Sequence, residues 1–187
     1  MVYYKRQENT LTDGSGWTRG YATLNFNIIR FADVLLLAAE AEIEAGSLTT
    51  ALGYINQIRN RAANAAGFVT KGGKPEANYE IMPYAAFADK TAATKALRME
   101  RLLELATEGH RFFDLVRWGI AAPYLNKYLA EESKNGTDMS GRTYNKRAYL
   151  VGKSYTAGKN DYFPLPNDEI LNSQLNGKPT LTQNPGY

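Results

Sequence analysis

Cysteine is absent from all 187 residues, which excludes disulfide frameworks, thiolate metal sites and cysteine nucleophiles while leaving the redox compartment open. Histidine occurs once, as His110, so no histidine-rich metal centre can form, and zinc would rest mainly on carboxylates, a poor match to its chemistry. Long apolar runs are missing too. Nothing approaches the roughly 20 residues of a membrane-spanning helix, and the opening segment from Met1 to Glu8 lacks the apolar centre of a signal peptide. Charge of one sign is scarce: 22 basic against 19 acidic side chains leave a net +3, too weak a field to argue for nucleic acid unless it is concentrated. No cofactor is expected.

What is present is globular in kind. Hydrophobic residues make up 44% and charged residues 22%, which sets disorder aside as the dominant state. The length suits about one domain, which buries roughly 70% of its unfolded surface and so needs neither disulfide nor metal to hold a core.

Periodicity divides the chain. Residues 1–27 read as a polar arm containing Trp17 and Tyr21. From Ile28 to Ile43 the sequence is apolar nearly all round a helix, which predicts a buried element, while Arg30, Asp33 and Glu40 rule out a membrane span. Gly46 suits the position just past a helix end, and Ser47 can cap a second helix with Leu48, Ala51, Leu52, Ile55 and Ile58 at helical spacing. Residues 28–66 are therefore a helical hairpin, followed by an aromatic loop over 67–90. A helical pair over 91–131 has Met99, Leu102, Leu103 and Ala106 on its first apolar face and is disturbed at Gly119 and Pro123. Residues 132–187 are loop-rich, with short strands, an extended Phe163 to Pro166, a brief helix capped by Asp168, and a tail. Ala51, Tyr54 and Ile55 have tetratricopeptide-like spacing, but the second pair starts too late for a regular repeat. The expected fold over 28–187 is a single, mainly α domain of tetratricopeptide-like hairpins with irregular loops and little β.

The densest charge constellation runs from Glu100 to Gly119. Arg101, Glu104, Glu108 and Arg111 share one stripe if the helix continues through Gly109, and Asp114 and Arg117 extend the alternation. Glu104 and Glu108 could be read as an acid/base pair of a hydrolase. The arginines supply counter-charge, so the reading adopted is a structural ion-pair ladder of Arg101, Glu104, Glu108, Arg111, Asp114 and Arg117 that pins two helices. His110 at the junction has no nucleophile turn near it and is read as structural.

Other signals are weaker. Lys71-Gly72-Gly73-Lys74 lacks the spacing of a phosphate loop and reads as a turn. Between Lys134 and Lys159 cations alternate with Tyr144, Tyr149 and Tyr155, a pattern that could grip a single strand, but no reader motif accompanies it and nucleic acid is not expected. The 13 tyrosines and 2 tryptophans carry more information. Sugar rings present C–H faces that lie on aromatic planes, so Trp17, Tyr21, Tyr79 and Tyr84 are the candidate glycan-binding residues, against the alternative that aromatics fill cores.

Three blocks in fixed order resemble the SusD/RagB family of surface lipoproteins. Ile29-Arg30-Phe31-Ala32-Asp33-Val34-Leu35-Leu36 with Ala39-Glu40-Ala41 is similar to its first helix, with Phe31 in place of the commoner tyrosine. Glu100 to Ala106, then Glu108-Gly109-His110-Arg111-Phe112-Phe113-Asp114-Leu115 with Arg117-Trp118-Gly119, resembles its most specific motif. Leu165-Pro166, Glu169-Ile170 and Gln183-Asn184-Pro185-Gly186-Tyr187 resemble its closing signature. The resemblance implies a non-catalytic component that binds a glycan or other nutrient at the outer-membrane cell surface, beside a SusC-like TonB-dependent transporter. It also implies that this chain is the carboxy-terminal half of a longer protein whose missing amino-terminal half bears the lipid anchor. The alternative is a helical-repeat scaffold that docks a protein partner and has no glycan site of its own.

Overall fold

The computed structural model describes residues 28–137, 140–145 and 147–187. The expected polar arm, with Trp17 and Tyr21, lies outside the described residues. Contacts divide the chain into two compact units, one ending at Arg111 and the other running from Phe112 to Tyr187.

The first unit is built on three helices of equal length: α1 (Phe31–Ala45), α2 (Leu48–Ala62) and α3 (Lys90–Glu104). Gly46 takes the left-handed conformation (φ 88°) that ends α1, and the Ser47 N–H closes on the Glu42 carbonyl at 2.8 Å. Ser47 stands at the start of α2 but its side chain makes no capping hydrogen bond. Asp89 does cap α3, accepting from the Ala92 N–H at 2.8 Å.

Each helix contributes one stripe to a shared core: Ala32, Leu36, Ala39 and Ile43 from α1, Ala51, Ile55 and Ile58 from α2, and Ala93 and Leu97 from α3. The spacing of three or four residues follows from the helical turn. Alanines at Ala39, Ala51 and Ala93 let the helix axes approach, and Leu36, Ile43, Ile55 and Leu97 fill the space between them. Full burial of such a side chain stabilises by about 1.5–3 kcal/mol.

The expectation that α1 is buried all round is corrected. Phe31, Val34 and Leu37 are exposed, because among the described residues α2 and α3 pack on one side of α1 only. Between α2 and α3 the chain forms a 3₁₀ turn (Ala65–Gly67) and a hairpin of β1 (Thr70–Lys71) with β2 (Lys74–Pro75), its two-residue turn being Gly72-Gly73 with positive φ at both positions.

The second unit takes up most of α4 (His110–Arg117) and contains α5 (Ala121–Glu132). Pro123 falls in the first turn of α5, where its missing N–H costs nothing, so the proline expected to disturb the helix sits inside it. A hairpin of β3 (Asn135–Thr137) with β4 (Thr143–Asn145) follows, then a 3₁₀ turn (Ala148–Leu150) and α6 (Asn167–Asn172). Asp168 lies in the first turn of α6 and Pro166 is its cap residue. The expected tail is structured: β5 (Gln174–Leu175) pairs with β6 (Lys178–Pro179) around Asn176-Gly177, both at positive φ. The fold is mainly helical with little sheet, as the periodicity indicated.

Candidate functional site

The charged motif joins several elements of the first unit. The stripe does not run through Gly109. Helix α3 stops at Glu104, Thr107 and Gly109 take positive φ (67° and 85°), and α4 begins at His110. The acids therefore find their partners on the hairpin. Arg30, at the entrance to α1, donates from Nη1 to Glu104 at 2.7 Å, from Nη2 to the Glu104 carbonyl at 2.8 Å, and from Nε to Glu108 at 2.8 Å. Arg61 of α2 donates to the other Glu104 oxygen at 2.5 Å. Arg101 points the opposite way, into the core, where it meets Asp33 of α1 at 2.8 Å with both side chains buried. In the second unit Arg117 pairs with Asp114 at 2.9 Å, one helical turn away.

A planar guanidinium fork between two carboxylates is strong, oriented recognition. The Glu108 hydrogen bond raises the pKa of Arg30 above its ordinary value, partial burial opposes this, and Glu104 adds to the rise. Glu104 and Glu108 thus hold one cation jointly, an arrangement that ties α1 to the end of α3.

Both described candidate aromatics are engaged. Tyr79 stacks on Phe68 with ring centroids 4.2 Å apart, and its hydroxyl accepts from the Val69 N–H at 3.3 Å. Tyr84 lies half-buried against the core under the Arg59 guanidinium, which sits 4.6 Å from its ring centroid. Its hydroxyl donates to Glu100 at 3.1 Å, and the same carboxylate oxygen accepts from Arg59 Nη1 at 2.5 Å. Burial, with Glu100 second, raises the Tyr84 pKa above its usual value. The two tyrosines serve separate clusters, one at the base of the β1–β2 hairpin and one beside α2 and α3.

The second unit holds aromatic residues that were not singled out as ligand contacts. Tyr124 and Tyr128 stand one turn apart on α5, 43% and 42% exposed. The Tyr128 hydroxyl accepts from Arg147 Nη1 at 2.9 Å, and Arg147 Nε lies 3.4 Å from Glu132, one turn further along. Their spacing of four residues on a helix was the available signal. The Tyr144 ring lies so close to Gly136 across the hairpin that a Cβ at that glycine would stand 2.6 Å from it. Lys134 pairs with Glu131 at 2.8 Å, so part of the basic run is locally neutralised.

The family model described as the SusD family matches residues 1–187. The chain belongs to the SusD family. SusD-like protein P2 of Formosa agariphila is 29% identical over 169 residues, covering 89% of this chain and 26% of that protein. SusD-like protein P25 of the same organism is 39% identical over 93 residues, covering 50% of this chain and 15% of that protein. Two solved structures are similar in fold. A SusD superfamily protein from Bacteroides vulgatus superposes with a TM-score of 0.55 at 32% identity, covering 86% of this chain and 27% of that one. A SusD homolog from Bacteroides thetaiotaomicron gives 0.60 at 29% identity, covering 89% and 28%. The chain thus spans no more than about a quarter of the length of these curated relatives.

Against this SusD frame the charged motif falls at the α3–α4 junction and ties α1 to the end of α3, and the closing signature is structured as well. Gln183 grips Leu165 in both directions, its Oε1 accepting the Leu165 N–H at 2.7 Å and its Nε2 donating to the Leu165 carbonyl at 2.9 Å. Asn184 donates to the Phe163 carbonyl at 2.6 Å, and the Tyr187 hydroxyl donates to the Tyr162 carbonyl at 3.1 Å. In both blocks the side chains hold the chain together.

Proposed function

We propose that this chain is the carboxy-terminal part of a non-catalytic, glycan-binding surface protein that works beside a SusC-like TonB-dependent transporter at the outer membrane. The observation that carries the reading is membership of the SusD family over residues 1–187. The site geometry is in keeping with it, since Glu104 and Glu108 share the Arg30 fork and so are spoken for as structural counter-ions. No helix among the described residues is long and apolar enough to cross a membrane, and on this reading a lipid on an amino-terminal part of the longer protein provides the anchor.

An antibody against this chain, applied to membranes of the producing organism, tests the proposal. The expected species is far heavier than 20.8 kDa, carries an acyl group and co-purifies with a transporter barrel. A soluble species of 20.8 kDa with no barrel would overturn it.

A second reading, a scaffold that docks a protein partner, is favoured by the open apolar side of α1 at Phe31, Val34 and Leu37. Retention of the barrel by a protein that binds no glycan would select it.

A further inference from the structure

We propose that Arg30 works as a latch that holds the α3–α4 junction in a broken, strained form, and that the form it holds off is a helix running on from α3 through Thr107. Thr107 takes a φ of 67°. For a side chain with a Cβ the left-handed region is disfavoured about fivefold to thirtyfold, and a β-branched residue there is an outlier. The Thr107 side chain makes no hydrogen bond to another described residue, so the compensation comes from elsewhere.

It comes from the two residues that bracket the strain. Arg30 grips the chain on both sides of Thr107, through the carboxylate and carbonyl of Glu104 at 2.7 and 2.8 Å and the carboxylate of Glu108 at 2.8 Å. The carbonyl contact decides between the two forms. In an uninterrupted helix the Glu104 carbonyl accepts from the Glu108 N–H, four residues on. Here the Glu108 N–H donates to the Leu105 carbonyl at 3.1 Å, and Arg30 Nη2 takes the Glu104 carbonyl instead.

The latch reaches in from 74 residues earlier in the chain, so it can be removed without altering the sequence of the junction. What remains there favours helix. Ala106 and Glu108 are good helix formers, and Gly109 is disfavoured only about fivefold relative to alanine. In the continuous form Glu108 and Arg111 stand three residues apart on one face as opposite charges, which offsets the like-charged step from Glu104 to Glu108. The junction is thus an element with two discrete arrangements, and one side chain selects between them.

The test is a cycle of Thr107→Gly and Arg30→Ala in the 187-residue chain, read by urea unfolding. Glycine adopts left-handed φ without steric penalty but loses more entropy on folding. Thr107→Gly alone should therefore raise the folding constant about threefold to tenfold. Thr107→Ala keeps the Cβ and should give no such gain. In the Arg30→Ala background the gain from glycine should vanish, because Thr107 is there right-handed. The Cα and Cβ chemical shifts of Thr107 report the conformation directly, and in Arg30→Ala they should move from left-handed to helical values, a change that simple fraying of the junction would not produce. If Arg30→Ala does not fold, Arg30→Lys, which cannot span both acids, takes its place. No gain from glycine in the otherwise wild-type chain, or an equal gain with and without Arg30, would overturn the latch. Thr107 shifts that stay left-handed once Arg30 is replaced would overturn the continuous helix.

Discussion

Asn56 and Tyr84 are joined twice: the Asn56 Nδ2 donates to the Tyr84 carbonyl at 2.8 Å, and its Oδ1 accepts the Tyr84 N–H at 2.9 Å. A side-chain amide here does what a neighbouring strand would do for an extended residue, and it holds the loop before α3 against α2. Asn126 holds Tyr155 in the same way, at 2.9 and 2.7 Å. With Gln183 on Leu165 this makes three carboxamide clamps on loop backbone.

Replacing Asn56 by Ala should cost about 1–3 kcal/mol, because both backbone groups of Tyr84 lose their partner in a partly buried place. Asn56→Asp keeps the acceptor but faces the Tyr84 carbonyl with a second oxygen, and should cost at least as much. Urea unfolding followed by circular dichroism gives the comparison; a midpoint unchanged in both variants would show that the clamp contributes nothing.

The buried pair of Asp33 and Arg101 should behave asymmetrically. Asp33→Leu alone strips the buried arginine of this counter-ion and is expected to cost about 3–5 kcal/mol, whereas Asp33→Leu with Arg101→Met should cost less than the single change. Thermal melts of the two variants decide the matter, and a double variant less stable than the single one would count against it.

Arg30 serves two acids with different edges of one planar group, so lysine cannot replace it. Arg30→Lys should destabilise by about 2 kcal/mol. A double-mutant cycle of Arg30→Ala with Glu108→Gln should give a coupling energy of about 0.5–3 kcal/mol. Additive effects would mean that the fork is not energetically joined.

Tyr155 and Asp161 are coupled in their response to pH. The Tyr155 hydroxyl donates to Asp161, and the Gly158 N–H donates to its other oxygen at 2.6 Å. The tyrosine first, then the glycine, hold the Asp161 carboxyl below its usual 3.8. A depressed folded-state value contributes stability above pH 3.8 that is lost as pH falls through the folded value. Burial, then Asp161, pushes Tyr155 from 10.0 up to about 12, so its contribution is intact below pH 10.0 and is lost between there and about 12. Tyr155→Phe should flatten the acid limb in urea midpoints measured below pH 3.8, and Asp161→Asn should bring the latest tyrosinate absorbance step to lower pH. An unaltered acid limb in Tyr155→Phe would rule out the coupling.

The helical hairpin and its turn at Gly46 were legible because apolar periodicity and a glycine stop report local geometry. The burial of α1 was not. Its apolar residues face every direction, and a sequence does not say which neighbours are at hand to cover Phe31, Val34 and Leu37. The charged motif was legible as a set of groups needing counter-charge, but its partners were not, because Arg30 and Arg61 lie 74 and 43 residues away from Glu104 in sequence. The Asn176-Gly177 turn was a legible hairpin signal that the flanking polar residues obscured. Of the candidate ligand contacts, Tyr79 and Tyr84 were chosen on expected aromatic exposure, and their packing on Phe68 and under Arg59 was not legible because those contacts depend on how the loop folds back.

The three carboxamide clamps differ from the ion pairs in one further respect. An amide side chain carries no proton to gain or lose and no charge for salt to screen, so its grip on Tyr84, Tyr155 and Leu165 is indifferent to acid and to ionic strength. The ion pairs made by Arg30, Arg59 and Arg101 are held by charge, which salt screens according to exposure. Added salt is therefore expected to weaken the part-exposed joint at Arg30 before it frees the loops, with the backbone N–H groups at Tyr84, Tyr155 and Leu165 keeping their protection from deuterium exchange as ionic strength rises.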